Sequence, residues 1–308
     1  MNQQFLTELK AVTAENRIFT DEPMKKHTTF RVGGPADILV QPKGTELAAV
    51  IRLCRKYDVP YQVIGNGSNL LVGDRGIRGL VIEMLSKEDE ICVEDDCITV
   101  GAGMLLSKTA NRAAEHGLTG MEFAAGIPGS IGGAVVMNAG AYGGEMKDIL
   151  TAVTVLDQEG NEKILSAEEL ELGYRTSCIL KKGYIVTGAK IKLKHGEETA
   201  IRARMEELKK QRVEKQPLEY PSAGSTFKRP EGYFAGKLIM DSGLRGYQIG
   251  GARVSDKHCG FVINAGDATA QDVVALMDHV TEVVREKYGV TLEPEVKFLG
   301  EFDKKCDW

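Results

Sequence analysis

Three side chains stand where a reacting group could be aimed. Ser225 lies in Pro221-Ser222-Ala223-Gly224-Ser225-Thr226-Phe227-Lys228-Arg229-Pro230, a loop with a glycine beside a hydroxyl, two cations behind it and a proline at each end. Such a loop can present a serine Oγ, and the plainer alternative is a satisfied turn serine. No Gly-x-Ser-x-Gly elbow and no histidine neighbour accompanies it, so acyl transfer and hydrolysis find no support. Arg175 follows a break in Gly173-Tyr174-Arg175-Thr176-Ser177, where its planar fork could take a carboxylate in two hydrogen bonds or close a surface salt bridge. Leu292-Glu293-Pro294-Glu295-Val296-Lys297-Phe298-Leu299 alternates apolar and charged residues. That pattern predicts an edge strand that tolerates Pro294 and carries Glu293, Glu295 and Lys297 on one face. His27 reads as a hydrogen-bonded packing histidine and takes no assigned role.

Two glycine-rich runs could bring a ligand to these groups. Residues 123–144 hold no charged side chain, and glycines, Pro128, Ser130 and Asn138 interrupt any regular helix or membrane span. Glycine positions allow positive φ and close approach, and successive N–H groups converging in such turns can hold phosphate without a lysine or arginine. A structural turn is the alternative for one such run. A second run, Val63-Ile64-Gly65-Asn66-Gly67-Ser68-Asn69-Leu70-Leu71-Val72, reads as strand, amide nest, strand, although Asn66-Gly67 alone also suits a hairpin turn. Two uncharged nests together point to one dinucleotide. It is not a nicotinamide fingerprint, since Gly-x-Gly-x-x-Gly does not occur, and Gly232 to Leu238 is one residue short of a P-loop and lacks its Ser/Thr.

Composition narrows the class. The 308 residues allow two or three domains, and 43% hydrophobic with 27% charged content suits a soluble globular protein. A net charge of −5 and a pI near 5.7 argue against a nucleic-acid partner. Locally, Glu214 to Gly260 is richer in lysine and arginine than in acids, as an anion site or a mixed solvated surface would be. No spanning apolar stretch or basic-then-apolar leader appears, so no membrane is expected and the cytoplasm is the expected location. Cys54, Cys92, Cys97, Cys178, Cys259 and Cys306 include no Cys-x-x-Cys and no zinc-spaced histidine; reduced structural thiols and no metal are expected.

The elements that must position these groups follow from periodicity. A strand region at Arg31–Val40, an amphipathic helix from Thr45 and a strand at Tyr61–Ile64 make a small βαβ unit. Strands are predicted at Leu80–Met84, Ile91–Val93, Ile98–Val100, Ala152–Leu156, Glu162–Leu165 and Tyr184–Leu193, with an acidic hairpin loop within Glu88–Asp96 and a helix from Ser107 to His116. Ile201, Met205 and Leu208 stripe a charged helix that stops before Pro217. Thr269 caps a helix that Gly289 ends, and strands near Arg253–Val254 and Phe261–Asn264 complete an α+β unit. Three domains are expected: 1–80 with 297–308 returning to it, 81–213, and 214–296.

Taken in order, His27 to Gly34, Gly65 to Leu71, Ala125 to Gly133, Asn138 to Tyr142, Tyr174-Arg175, Ala223 to Phe227 and Glu293 to Val296 resemble the UDP-N-acetylenolpyruvoylglucosamine reductase family over nearly the whole chain. The resemblance implies an α+β fold of three domains: two form an FAD-binding unit of the vanillyl-alcohol-oxidase (PCMH) type, and the third binds substrate. It implies FAD held non-covalently, NADPH as hydride donor, UDP-N-acetylglucosamine enolpyruvate as substrate, UDP-N-acetylmuramate for cell-wall peptidoglycan as product, and a monomer. The residues it sets against the cofactor are Ile64, Gly65, Asn66, Gly67, Ser68 and Asn69 in one run. In the other they are Gly126, Ile127, Pro128, Gly129, Ser130, Gly132, Gly133, Asn138, Ala139 and Gly140. It makes Ser225 the proton donor to an enol, with Arg175 and Glu295 stabilising charge on the carboxylate-bearing centre, and Lys228 or Arg229 is expected to favour the serine alkoxide. The short Tyr174 to Leu193 stretch leaves no room for the tyrosine-bearing insertion of the family's longer form. Two rivals remain at this point, an FAD oxidase of the wider fold and a nucleotide-sugar binding protein without redox chemistry.

Overall fold

The computed structural model describes residues 3–84 and 91–303, which divide into two compact units. The first comprises the chain up to Phe19, Ile38–Asn66 and Gly79–Arg212; the second comprises Thr20–Asp37, Gly67–Arg78 and Val213 onward.

In the first unit, helices α1 (Gln3–Val12) and α2 (Gly44–Lys56) bury Phe5, Leu9, Leu47, Val50 and Ile51 in a core with Ile38, Val40, Leu80 and Ile82. The heptad-like spacing of those apolar positions puts them on one helical face, and each fully buried side chain contributes about 1.5–3 kcal/mol. Strand Tyr61–Ile64 ends at the first glycine run and pairs in parallel with Ile77–Glu83, from Tyr61↔Leu80 to Ile64↔Glu83. A second core lies under a five-stranded antiparallel sheet in the order Glu162–Ser166, Leu150–Leu156, Ile185–Lys192, Cys97–Gly101, Ile91–Glu94. Helices α3 (Leu106–Glu115) and α4 (Ile131–Val136) bury Leu106, Ala110, Ile131 and Val135 against Val153, Val155 and Ile191. Helix α5 (Cys178–Lys182) and strand Ile185–Lys192 take up the stretch after Arg175, in keeping with the shorter form. Helix α6 (Glu198–Lys215) closes the unit.

The second unit packs helices α7 (Ala235–Asp241) and α8 (Ala270–Tyr288) on a small sheet of Gln248–Ile249, Ala252–Val254 and Val262–Asn264. Both ends of α8 are built as the sequence predicts. Thr269 Oγ1 accepts from Asp272 N at 3.0 Å, Asp272 Oδ2 accepts from Thr269 N at 3.0 Å, and Gly289 ends the helix at φ 67°. Asp74 accepts from the amides of Ala270 and Gln271, satisfying two more of the helix's unpaired donors.

Three expectations need correction. The Arg31–Val40 region is a strand only over Pro35–Val40, because Arg31 (φ 55°) and Gly33 (φ 129°) turn the chain. A Cβ on Gly33 would sit 2.7 Å from Val72 Cβ, so this turn requires glycine. The uncharged run contains α4, a short helix that Ser130 caps by accepting from Gly133 N. In 292–299 only Lys297–Leu299 is strand, paired in parallel with Leu70–Val72. Residues 88–90 of the predicted acidic loop lie outside the described residues, as does Cys306. Among the described residues no His/Cys/Asp/Glu cluster could hold a metal, the five cysteines are free thiols, and no helix is long and apolar enough to cross a membrane.

Candidate functional site

The first run is not a hairpin. Tyr61–Ile64 pairs with Ile77–Glu83 and Leu70–Val72 pairs with Lys297–Leu299, so residues 65–69 link strands with different partners. Among the described residues, the N–H groups of Gly65, Asn66, Gly67, Ser68 and Asn69 donate to no protein acceptor. Five consecutive unspent donors on a half-buried loop fit an anion far better than they fit a turn. Gly67, at φ 59°, lies against the backbone of His27 and Thr28, and Thr29 N donates to Gly67 O. The His27 segment thus backs the nest with its main chain, while the imidazole Nε2 sits 3.1 Å from Glu22 Oε1.

Within the first unit the two glycine runs touch. Asn66 Nδ2 donates to Pro128 O at 2.6 Å, and a Cβ on Gly65 would fall 2.1 Å from Ser130 Oγ. In the second run, the amides of Gly126, Gly129 and Ser130 donate to no protein acceptor among the described residues. Those of Ile127, Gly132, Gly133, Asn138 and Ala139 are spent inside the protein, on Ala124 O, Ala102 O, Ser130 Oγ, Val135 O and Ala134 O. Gly140 enters a short strand paired with Glu145. The run therefore divides into donors at 126–130 and scaffold beyond, which its glycine count did not reveal.

Asn138 belongs to the scaffold. Its side chain, 1% exposed, donates to Glu145 Oε2 (2.7 Å) and Gly173 O (3.1 Å) and accepts from Lys147 N (2.9 Å). Asn138→Ala would remove three hydrogen bonds made by one buried amide, so a loss of about 2–4 kcal/mol in urea unfolding is expected, with flavin retention falling in parallel. A variant that loses flavin at wild-type stability would contradict this.

The bond from Asn138 to Gly173 reaches the turn that carries Arg175. Gly173 and Thr176 exchange both backbone hydrogen bonds across Tyr174-Arg175, and Arg175 holds φ 54°, a left-handed conformation unusual for arginine. Its guanidinium lies 5.3 Å from the Tyr174 ring, with Nη2 3.5 Å from Gly140 O. The turn thus sets Arg175 at the end of the second run.

In the second unit, Ser225 hangs from a segment pinned on its C-terminal side. Thr226 N donates to Gly260 O (2.9 Å), Thr226 Oγ1 accepts from Val262 N (2.8 Å), and Thr226 O accepts from Glu295 N (2.8 Å). Gly224 (φ 76°) is open on its Cβ side, and Ser225 Oγ, half-buried, makes no hydrogen bond within the protein among the described residues. Glu295, 8% exposed, is tied to the first run through Asn69 Nδ2→Glu295 O at 3.1 Å. That link between nest and carboxylate is absent from the sequence reading, because the partners are far apart in the chain. Glu293 and Lys297 are exposed while Glu295 is buried, so the three do not share a face. Of the cations that follow Ser225 in the chain, Lys228 Nζ is bonded to Glu293 Oε2 at 2.9 Å, and the Arg229 guanidinium stacks 4.0 Å from the Phe234 ring.

Residues 216–299 match the C-terminal domain of UDP-N-acetylenolpyruvoylglucosamine reductase, and residues 36–166 match an FAD binding domain. A UDP-N-acetylenolpyruvoylglucosamine reductase of Agathobacter rectalis is 55% identical over 314 residues, covering 98% of this chain and 100% of the relative. One of Clostridium perfringens is 54% identical over 303 residues, covering 97% and 99%. The crystal structure of the Thermus caldophilus reductase superimposes with a TM-score of 0.78 at 40% identity, over 90% of this chain and 97% of that one. The FAD binding domain spans the first glycine run and the donor part of the second, and the unspent amides there fit a diphosphate-bearing cofactor.

Proposed function

Because the chain belongs to the UDP-N-acetylenolpyruvoylglucosamine reductase family, we propose that it reduces UDP-N-acetylglucosamine enolpyruvate to UDP-N-acetylmuramate, using NADPH and FAD. The observation that carries this reading is the row of unspent amides at Gly65–Asn69. Through Asn66 it touches the second glycine run, and through Asn69 it is bonded to the backbone of Glu295. Bound FAD supplies the two-electron chemistry between NADPH and the vinyl carbon. The amides of 65–69, with those of Gly126, Gly129 and Ser130, are the donors proposed to hold it.

The protein's own part is electrostatic and protonic. Reduction at the vinyl carbon drives negative charge onto the carboxylate-bearing carbon. Arg175, set in a strained turn, presents a preorganised cation to that charge, and interactions that strengthen as charge develops lower the barrier. Glu295, largely withdrawn from water, is proposed to help stabilise that charge. Ser225, whose hydroxyl makes no hydrogen bond to a protein acceptor among the described residues, delivers the proton to the same carbon.

A visible spectrum tests the reading. The full-length protein is expected to be yellow, to bleach with NADPH without oxygen, and to recolour on adding the enolpyruvyl substrate. Recolouring by oxygen alone at an equal rate would support an oxidase instead. A folded protein that stays colourless after FAD is added would leave only a nucleotide-sugar binding role.

A further inference from the structure

The peptide that pins Thr226 is itself held by one imidazole. Residues 255–261 join the strands Ala252–Val254 and Val262–Asn264, which pair from Ala252↔Asn264 to Val254↔Val262. Ser255 N donates to Phe261 O, and the buried Ser255 Oγ accepts from Lys257 N and His258 N, each at 3.2 Å. His258 then bonds both peptides of Gly260. Its Nδ1 accepts from Gly260 N at 3.1 Å, and its carbonyl accepts from Phe261 N at 3.0 Å. In a trans peptide the N–H and C=O point in opposite directions, so anchoring Phe261 N–H on His258 turns the Gly260 carbonyl the other way, to Thr226 N at 2.9 Å.

The ring is wedged in place. It meets Phe261 edge to face with centroids 5.0 Å apart, and a Cβ on Gly236, in the first turn of α7, would lie 3.3 Å from His258 Cε1. Gly260 is buried, and among the described residues its N–H has no acceptor besides this imidazole. Accepting at Nδ1 needs a lone pair there, which fixes the neutral tautomer with its proton on Nε2. Burial lowers the pKa of His258 and so favours that neutral form. The charged groups on the elements packed against it are engaged elsewhere. Asp256 pairs with Arg253 and Lys257 with Glu219, Arg245 donates to Asp256 O, Lys237 of α7 pairs with Asp241, and Lys228, after Thr226, pairs with Glu293.

We infer that His258 is a positioning residue for the proposed proton donor: its neutral imidazole holds the Gly260 peptide, Gly260 O holds Thr226, and Thr226 sets where the Ser225 hydroxyl stands. The inference rests on the reading of Ser225 as proton donor for its effect on rate, and on the turn's own hydrogen bonds for the link itself. Protonation at Nδ1 would set a second N–H against that of Gly260 and break the chain at its first bond.

Two substitutions in the full-length, FAD-loaded protein test it. His258→Phe keeps a ring against Phe261 and removes the acceptor, whereas His258→Asn puts Oδ1 where Nδ1 stands and cannot titrate. Stopped-flow absorbance reads the half-reactions. His258→Phe is expected to slow recolouring by the enolpyruvyl substrate by roughly 10- to 100-fold, the cost of a displaced reacting group, while bleaching by NADPH keeps its wild-type rate. His258→Asn should recolour near the wild-type rate. In the wild type, recolouring should weaken as pH falls below the lowered pKa of His258, and His258→Asn should lack that loss. Recolouring as slow in His258→Asn as in His258→Phe, recolouring at the wild-type rate in both, or equal slowing of bleaching and recolouring would overturn the proposal. Should His258→Phe not fold, the pH profiles of the wild type and His258→Asn decide, and identical profiles would sink the idea. If the wild type bleached and never recoloured with substrate, the reaction reading would fail instead. Hydrogen exchange at the Thr226 amide would then decide the link: slow exchange in the wild type and His258→Asn with fast exchange in His258→Phe supports it, and equal exchange in all three refutes it.

Discussion

Ser225→Ala is expected to leave NADPH-driven bleaching of the flavin at its wild-type rate and to slow recolouring by the enolpyruvyl substrate by about 10²- to 10⁴-fold, the usual contribution of a positioned general acid. The two half-reactions separate because only the second needs a proton at the substrate carbon. The substitution is a clean probe for a structural reason. The loop hangs on Thr226, through Gly260 O, Val262 N and Glu295 N, and Ser225 Oγ contributes no hydrogen bond to it among the described residues. The melting temperature should therefore stay within about 1 °C, since the half-buried side chain loses only a hydroxyl that bonds nothing in the fold among the described residues. Stopped-flow absorbance reads both phases. Equal slowing of the two would mean that the loop shapes the site and that the proton comes from elsewhere.

Local signals were legible wherever their cause is local. Thr269, Asp272 and Gly289 fix the ends of α8 by bonds within one turn, and the stripe at Leu47, Val50, Ile51 and Cys54 fixes α2. Whether Asn66-Gly67 closes a hairpin could not be read, because the answer lies in the strands that Tyr61–Ile64 and Leu70–Val72 choose as partners. The alternation in 292–299 misled for a related reason: Glu295 is drawn inward by its bond to Thr226 O while Glu293 turns out to Lys228. Arg212, which lies against Gly126, left a trace that was missed. It continues the stripe Ile201, Met205, Leu208 by one more turn of α6, so a cation stands where the helix pattern calls for an apolar residue. A charge on the buried face of a charged helix is the signal that could have found it.

Gly65→Ala and Gly67→Ala should both strip the flavin, and a third change should tell them apart. At Gly65 the backbone is ordinary, and the obstacle is a side chain: the new Cβ would meet Ser130 Oγ at 2.1 Å and Ser130 Cβ at 3.2 Å. Forcing that contact pushes the two glycine runs apart and takes Ser130 from its cap on Gly133 N. Overpacking of this kind costs about 1–3 kcal/mol, or roughly 10- to 100-fold in FAD affinity if it falls on the bound state. Ser130→Gly removes both offending atoms and, as a helix cap, costs only a few tenths of a kcal/mol, so Gly65→Ala with Ser130→Gly is expected to regain most of the affinity. At Gly67 the obstacle is main chain. Its Cβ would lie 2.0 Å from His27 O and 2.9 Å from Thr28 Cα, and its φ of 59° adds about 1–2 kcal/mol for any residue with a side chain. No second substitution removes a carbonyl, so Gly67→Ala should lose flavin and several degrees of melting temperature together, with no rescue by Ser130→Gly. Dilution of each holoenzyme, followed by flavin fluorescence, reads the affinities. A Gly65→Ala enzyme that keeps its flavin as the wild type does would show that the contact between the two runs is not what holds the cofactor.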